Sequence, residues 1–463
     1  MPRRRYSFVL VAFVLMLAAA TAQPPREPTD GKFVVPLTVD STAPPVPALK
    51  YHLLPELRET QTGNQVPAFY KCFFEQSHFY GDKEAVAQRK KWSAAPLADL
   101  AGVKELIGYG GVGLRQADYA ARLDAVDWAV LNQLKAEGIY LLLPDVQKMR
   151  QLAAALMVRM RGEVARKDYP AALRTAQTMF ALARAFNDHP TLIGQLVGIA
   201  IVSIELGVIE EFMQQPGSPN LFWALAELPA PLIDLRKGMQ GERALLPRFY
   251  EAFRKTDPVG EPELNRMVKE IETWVADTSS GKKEAPGVWY AKQAGDPAAV
   301  TAAKGRLAKL GYDPAALDKL STLQIVMTDD FARAEVYRDD RDKWMTVPFW
   351  RVPAEAMTAP KPEGVLAELA PAAAKVRDTQ VRTQQRLAML QTVEAVRAHV
   401  TANGGKLSAT LDDIKLPVPL DPVTGKAFRY EVKDGTAVVS SVPPARLKND
   451  PYFNRVYEIT IRK

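Results

Sequence analysis

The spacing of apolar residues changes along the chain and separates a long helical part from a short C-terminal part. From Tyr51 to about residue 345, apolar positions recur at the spacing of helices that bury one face. After residue 420 they alternate with polar positions, as in half-buried strands. The pattern predicts a mainly α protein, with an irregular helical array or α-solenoid-like domain over 51–347 and a small α+β domain over 363–463.

Three consecutive segments carry the strongest helical signal. Segments 149–166 and 169–183 each have one apolar stripe, and Asp168 and Pro170 are suited to begin the second helix, so the two predict an antiparallel hairpin. Segment 191–213 is apolar almost all round, which suits either a membrane span or a helix buried by protein. Glu205 near its middle and its amphipathic neighbours favour the buried helix.

The C-terminal pattern predicts one long helix and three strands. Prolines mark a linker over 348–362, and an Ala-, Arg- and Gln-rich helix is expected from about Glu363 to His399. Alternating segments at 428–432, 436–442 and 457–461 follow, with a turn at Lys433-Asp434-Gly435 between the first two. We therefore expect a long helix packed on a three-stranded antiparallel sheet.

The N-terminus has the features of a secretory signal peptide over residues 1–22. A basic start at Arg3-Arg4-Arg5 precedes an apolar run from Phe8 to Ala20 and the small-x-small pattern Ala20-Thr21-Ala22. The run is shorter than the roughly 20 residues of a membrane span, although cleavage and retention as an anchor both stay open. Proline-rich residues 23–50 are interpreted as an extended tether. The expected location is exported: periplasmic, associated with the cell envelope or secreted.

Composition narrows the classes of function. With 463 residues and 47% hydrophobic content, the chain is long enough for a large core. The formal charge of +7 falls to about +4 without the three N-terminal arginines, and nucleic acid is not an expected partner. The single Cys72 excludes an intramolecular disulfide and, within an aromatic stretch, is expected to be a buried, inert thiol. No stable membrane span is expected after signal cleavage.

Several motifs have a structural interpretation that outweighs a chemical one. Gly108–Gly113 has the spacing of a dinucleotide-binding loop, but no strand pattern precedes it, so we interpret it as a glycine loop leading into a helix from Gln116. The acidic stretch 329–342 is interleaved with arginines, and Asp329 with Arg333 and Arg338 with Asp342 have the i,i+4 spacing of ion pairs on a solvent-facing helix. No motif for catalysis, metal or cofactor is recognised, so none of these residues is assigned a catalytic role.

One loop is a candidate contact surface. Trp344, Phe349 and Trp350 lie in a short segment between the helical part and the proline linker. Exposed tryptophans stack on sugars or anchor a protein partner, whereas buried ones would pack under the helical array, and both interpretations stay open.

Four resemblances to known families add expectations about the fold. Residues 167–173 with their helix pair resemble one tetratricopeptide-type unit, which implies helical-repeat architecture. Segments 47–55 and 219–234 resemble uncharacterised secreted planctomycete proteins, which implies a shared helical build across much of 45–355. Residues 298–312 resemble the opening of a peptidoglycan-binding module. The segment Leu420–Tyr430, with the helix before it and the strands after it, is similar to the globular part of type II secretion pseudopilins.

Together these features predict an exported envelope protein without enzymatic activity that acts as a protein–protein interaction scaffold with envelope proteins as partners. Two alternatives remain. One is a protein that binds cell-wall glycan through the Trp344–Trp350 region, and the other is a hydrolase whose active site is dispersed along the sequence.

Overall fold

The computed structural model describes residues 28, 31–74, 76–278 and 284–462. The expected signal peptide over residues 1–22 lies outside the described residues, as does the first part of the expected tether.

The described residues form eighteen α-helices, and about 60% of the chain is helical, which confirms a mainly α fold. In chain order the helices are α1 (Gln65–Tyr70), α2 (Ser77–Gly81), α3 (Lys83–Ala94), α4 (Leu97–Leu100), α5 (Gly111–Ala120), α6 (Leu131–Glu137), α7 (Pro144–Ala165), α8 (Tyr169–Ala185), α9 (Leu192–Met213), α10 (Phe222–Ala226), α11 (Arg236–Ala244), α12 (Pro247–Arg254), α13 (Glu261–Thr278), α14 (Pro286–Gly295), α15 (Pro297–Lys309), α16 (Pro314–Leu317), α17 (Thr322–Asp342) and α18 (Ala373–Ala402).

Six strands form two sheets in the described part of the chain. The strands are β1 (Phe33–Val39), β2 (Gln61–Asn64), β3 (Leu123–Ala125), β4 (Arg429–Lys433), β5 (Thr436–Ser440) and β6 (Arg455–Ile461). The larger sheet has the order β1-β6-β5-β4, in which β1 runs parallel to β6 and the other two pairs are antiparallel. Strands β2 and β3 form a separate parallel pair.

Strand β1 corrects two expectations. Residues 33–39 were expected to belong to an extended tether, but they form a strand of the C-terminal sheet. That sheet was expected to have three antiparallel strands, but it has four, one of which is parallel to its neighbour. Val35, Leu37 and Val39 are buried, while the residues between them are exposed, which is the alternation of a half-buried strand. This pattern was not recognised in the sequence because Pro36 lies in its middle, and proline is rarely found within a strand. The strand lies at the sheet edge, and the Thr38 N–H points away from β6 toward Gln214, so the missing N–H of Pro36 costs no hydrogen bond between strands.

The helical hairpin predicted around Asp168 is confirmed. The Asp168 side chain accepts a hydrogen bond from the Ala171 N–H at 3.2 Å, and Pro170 lies in the first turn of α8. Helices α7 and α8 pack against each other, and α9 packs on both. Local capping signals and apolar stripes thus determine this part of the fold.

Helix α9 is the centre of the molecule, as the buried-helix interpretation predicted. It is the one helix among the described residues that is long and apolar enough to cross a membrane, but 78% of its most apolar 18-residue stretch is buried within the protein. Helices α7, α8, α11 and α18 cover it. At its C-terminal end the Glu210 carboxylate accepts a hydrogen bond from Arg386 at 2.9 Å and lies 3.5 Å from Arg455, so α9 is tied to α18 and to β6.

One continuous hydrophobic core joins both ends of the chain. It contains buried residues of β1, α7, α8, α9, α18, β5 and β6. A second core is built by α12, α13, α14 and α17. The linker over 348–362 therefore does not separate two independent cores, since α18 and the sheet complete the core of the helical part.

Candidate functional site

The strap loop, which we define as residues 343–351, contains the three aromatic residues singled out in the sequence. It follows α17 and contains two short 3-10 turns. The Arg377 side chain of α18 is buried and donates hydrogen bonds to the carbonyl oxygens of Trp344 and Val347. These bonds fasten the loop to the helix that carries the C-terminal sheet.

Two of the three aromatic side chains of the strap loop, Phe349 and Trp350, pack against other residues. Phe349 lies between the guanidinium groups of Arg377 and Arg446, each 5.8 Å from the ring centroid. The Trp350 ring covers Gly425, where an added Cβ would lie 2.6 Å from the ring, yet 45% of Trp350 remains exposed. Trp344 is half-buried. Of the three rings, Trp350 is thus the exposed one, while Trp344 and Phe349 are half-buried.

The glycine-rich segment forms a loop that begins helix α5 earlier than expected. Gly108, Gly110 and Gly111 all have positive φ, and the helix begins at Gly111 instead of Gln116. A glycine suits position 113 of this helix, because the Cβ of any other residue would lie only 3.1 Å from the Cys72 carbonyl oxygen. The preceding element is a 3-10 turn over Lys104–Leu106, not the strand that a dinucleotide site requires.

This loop, α3 and Phe79 of α2 line an open cavity of about 350 Å³, which we call the aromatic pocket. Three half-buried rings contribute to its wall: the Phe79 and Tyr109 centroids lie 5.2 Å apart, and those of Trp92 and Tyr109 lie 5.6 Å apart at an interplanar angle of 89°. The lining residues are Phe79, Ala85, Gln88, Arg89, Trp92, Glu105, Gly108, Tyr109 and Gly110.

Arg89 fixes the rings of the aromatic pocket. Its guanidinium lies 4.7 Å from the Phe79 centroid, and its Nε donates to the Tyr109 hydroxyl at 3.2 Å. Burial raises the pKa of Tyr109, so the phenol is neutral at physiological pH. In contrast, the Gln88 and Glu105 side chains, which are half-buried and exposed respectively, form no hydrogen bond or ion pair with any described residue.

A second cavity, of about 420 Å³, is polar and internally paired. It is lined by Asn187, Asp234, Arg236, Lys237 and Gln240. Arg236 is paired with Asp234, and Lys237 lies 3.1 Å from Asp188. Since its cations are already neutralised by neighbouring carboxylates, this cavity offers less to a ligand than the aromatic pocket does.

The densest group of exposed large apolar side chains in the described part of the chain lies over residues 131–142, the apolar surface segment. Leu131, Ile139, Tyr140 and Leu142 are 48%, 39%, 53% and 75% exposed. Leu134 alone in α6 is buried, and Gly138 approaches the Leu245 carbonyl so closely that an added Cβ would lie 2.7 Å from it. The segment is therefore held on the surface by two contacts while four apolar side chains face solvent.

The acidic helix α17 differs from the solvent-facing helix expected there. Asp329 and Asp330 are 2% and 1% exposed. Asp329 does pair with Arg333 at 3.0 Å, as its spacing predicts, but it also pairs with Arg306 of α15 at 2.8 Å. The other predicted pair is replaced, because Arg338 lies 3.7 Å from Glu335, and Asp342 lies 3.1 Å from Arg243.

Asp330 is saturated by structural hydrogen bonds. It accepts from the Tyr290 hydroxyl at 2.6 Å and from the backbone N–H groups of Val365 and Leu366 at 3.2 and 3.1 Å. These contacts fix the chain after the proline linker to α17, so this carboxylate serves the fold.

Glu163 and Glu205 are two of several carboxyl groups whose pKa is raised by burial. Burial raises the pKa of Glu163 to about 7, although Arg159 and a 2.6 Å hydrogen bond from Thr175 oppose the shift. Glu205 is fully buried, and burial raises its pKa well above the ordinary value, with a further contribution from Glu163. Neither residue lines the aromatic pocket.

Cys72 and His189 are core residues. Burial raises the pKa of the Cys72 thiol to about 12, in agreement with the inert thiol that was expected. Burial lowers the pKa of His189 to about 4, so the imidazole is neutral among Trp128 and Phe186. In the described part of the chain, no three His, Cys, Asp or Glu side chains are grouped as a metal site would need.

Sequence reasoning missed both the aromatic pocket and the apolar surface segment. The pocket joins Phe79, Trp92 and Tyr109 from three elements, although the aromatic stretch 69–80 beside a glycine loop was a usable signal. For the segment, the signal was that Ile139, Tyr140 and Leu142 fit no helical stripe. No known protein family, curated protein or solved structure matches the chain.

Proposed function

We propose that this is an exported, non-enzymatic protein of the cell envelope that binds another protein through the apolar surface segment. The observation that carries the proposal is the group of four exposed apolar side chains within residues 131–142. Isolated exposed apolar residues are ordinary, but four large ones within one short surface segment favour an interaction surface. Tyr140, with an apolar ring and a hydroxyl, belongs to the residue types that anchor interfaces.

The geometry of the segment also supports this function. Leu134 and the close approach of Gly138 to Leu245 hold the segment in place, so little order has to be gained on binding. The irregular helical array, solenoid-like at the stacked α7, α8 and α9, supplies the framework on which the segment is presented. The proposal that the protein is exported is supported by the basic start, apolar run and small-x-small pattern of residues 1–22. An exported protein meets other envelope proteins, so the proposed partner is one of these.

Site-specific photo-crosslinking in the native envelope tests the proposal. A crosslinking amino acid at Tyr140 or Leu142 is expected to give one adduct of defined mass. The same amino acid at Leu420, which is 59% exposed and outside the segment, serves as the matched control and should give none. The adduct should disappear when Leu131 and Ile139 are changed to Ser. Equal crosslinking from position 420, or an adduct that survives the double variant, would contradict the proposal.

Mass spectrometry of the adduct then identifies its composition. A second copy of this chain would identify self-association, and a different protein would identify the partner. Absence of any adduct at positions 140 and 142 in intact cells would remove the support for an interaction surface.

A further inference from the structure

The aromatic pocket has the features of a ligand site that the proposed protein interface does not use. Its volume of about 350 Å³ lies at the lower end of the roughly 300–1,000 Å³ that small-molecule sites occupy. Its wall combines three aromatic rings with two polar side chains, Gln88 and Glu105, that have no partner among the described residues. The Trp92 indole N–H also donates to none of the described residues.

The charges around the pocket decide which ligand fits it. A cation is disfavoured, because Arg89 already occupies the Phe79 face at 4.7 Å and would repel a second positive charge. An anion is disfavoured, because the Glu105 carboxylate lines the same cavity and no described residue neutralises it. Because the lining carries one charge of each sign, a ligand of either net charge meets a like charge, and an uncharged ligand fits best.

The polarity of the lining excludes a purely apolar ligand. Such a ligand would strip water from Gln88 and Glu105 without replacing their hydrogen bonds, and an unpaired polar group costs free energy on burial. A neutral ligand with many hydroxyl groups and one apolar face satisfies both parts of the wall. Pyranose sugars of the gluco configuration have this property, because their equatorial hydroxyls leave a flat face of axial C–H groups that packs on aromatic rings.

We propose that the aromatic pocket is a binding site for a neutral, gluco-configured saccharide, packed on the Trp92 and Tyr109 rings and hydrogen-bonded by Gln88 and Glu105. The site is independent of residues 131–142 and goes beyond the proposed protein–protein function. The pocket is also distinct from the strap loop, none of whose residues lines it.

Saturation-transfer NMR and titration calorimetry with defined trisaccharides test this site on the full chain. The probes are cellotriose and the β-1,4-linked trimer of N-acetylglucosamine, with β-1,4-galactotriose as the matched ligand and adenosine as a flat heteroaromatic control. We expect binding of at least one gluco-configured probe, with the largest saturation transfer to its axial protons. Weaker binding of galactotriose is expected, because its axial hydroxyl interrupts the apolar face.

Trp92→Ala should raise the Kd roughly tenfold or more, through loss of the ring face. Trp350→Ala, which removes an exposed ring outside the pocket, should leave the Kd unchanged. Because Trp92 also packs on Tyr109, Gln88→Ala combined with Glu105→Gln is a second test that removes no internal hydrogen bond, and it should raise the Kd roughly three- to tenfold.

Three results would contradict the proposed saccharide site. The first is that neither gluco-configured probe binds at millimolar concentration. The second is that the native protein and the Gln88/Glu105 double variant bind the probe with equal affinity, and the third is that adenosine binds and the sugars do not. A Leu142→Glu variant separates the two proposals, because it should abolish the crosslink at the apolar surface segment and leave saccharide binding unchanged.

Discussion

Replacement of Leu37 by Ala tests whether strand β1 is part of the core. Leu37 is 1% exposed, and in the sheet it is paired with the fully buried Ile459. Leu→Ala removes three carbon atoms, worth about 2.4 kcal/mol at about 0.8 kcal/mol for each buried methylene group. A residual cavity adds up to about 2 kcal/mol if the surroundings do not relax. Because an edge strand is free to move toward the space, we expect a loss of about 2.5–3.5 kcal/mol.

The assay combines a urea midpoint with native-state hydrogen exchange, because a chain of this length need not unfold in one step. Peptides covering β6, which is the only strand that pairs with β1 among the described residues, should exchange faster in the variant. Thr38→Ala, at the neighbouring exposed position, is the control and should cost less than about 1 kcal/mol. If both variants behave alike, residues 33–39 do not pack as the structure places them, and the reasoning is refuted.

Three other variants test features of the core and the strap loop. Burial raises the pKa of Glu163 from 4.5 to about 7, so its contribution to stability is fully present below about pH 4.5 and is lost as the pH rises through 7. Glu163→Gln should therefore flatten the fall in urea midpoint between pH 5 and 8, and an unchanged slope would contradict this assignment. Gly425→Ala should cost about 1–3 kcal/mol and speed proteolysis within 343–362, because Gly425 has a φ of 67° and lies against the Trp350 ring. Gly404→Ala is the control, since Gly404 has a φ of 60° in open space and its replacement measures the backbone cost alone. Arg397→Met leaves the buried Glu394 carboxylate without its ion-pair partner and should cost about 3–5 kcal/mol by thermal unfolding. Glu394→Leu in the same chain should restore part of this loss, but not the bonds of Arg397 to Asp40 and Ser218; no recovery at all would contradict the ion-pair explanation.

Local signals predicted the parts of the fold that depend on neighbours in sequence. The α7–α8 hairpin was predicted correctly because the Asp168 cap, Pro170 and two apolar stripes all act within a few turns of helix. Helix α9 was placed correctly because Glu205 argued against a lipid environment.

Features that depend on distant partners were missed or misjudged. The burial of Asp329 requires Arg306, which comes from another helix and which i,i+4 spacing does not reveal. Strand β1 has the composition of a tether, and its partner lies at the other end of the sequence. The aromatic pocket likewise exists only after α3 and the glycine loop come together, so the motif was visible in the sequence while the cavity was not.

The parallel pairing of β1 with β6 has a consequence for the order in which the molecule is completed. Asp40, directly after β1, is bonded to Arg462, 422 residues away, so the first strand has no docking site until the last residues of the chain exist. Closing so long a loop adds entropic cost and places this step late in folding. During synthesis β1 therefore stays without its partner strand until β6 has been made. Completion of the main hydrophobic core thus depends on the C-terminal sheet.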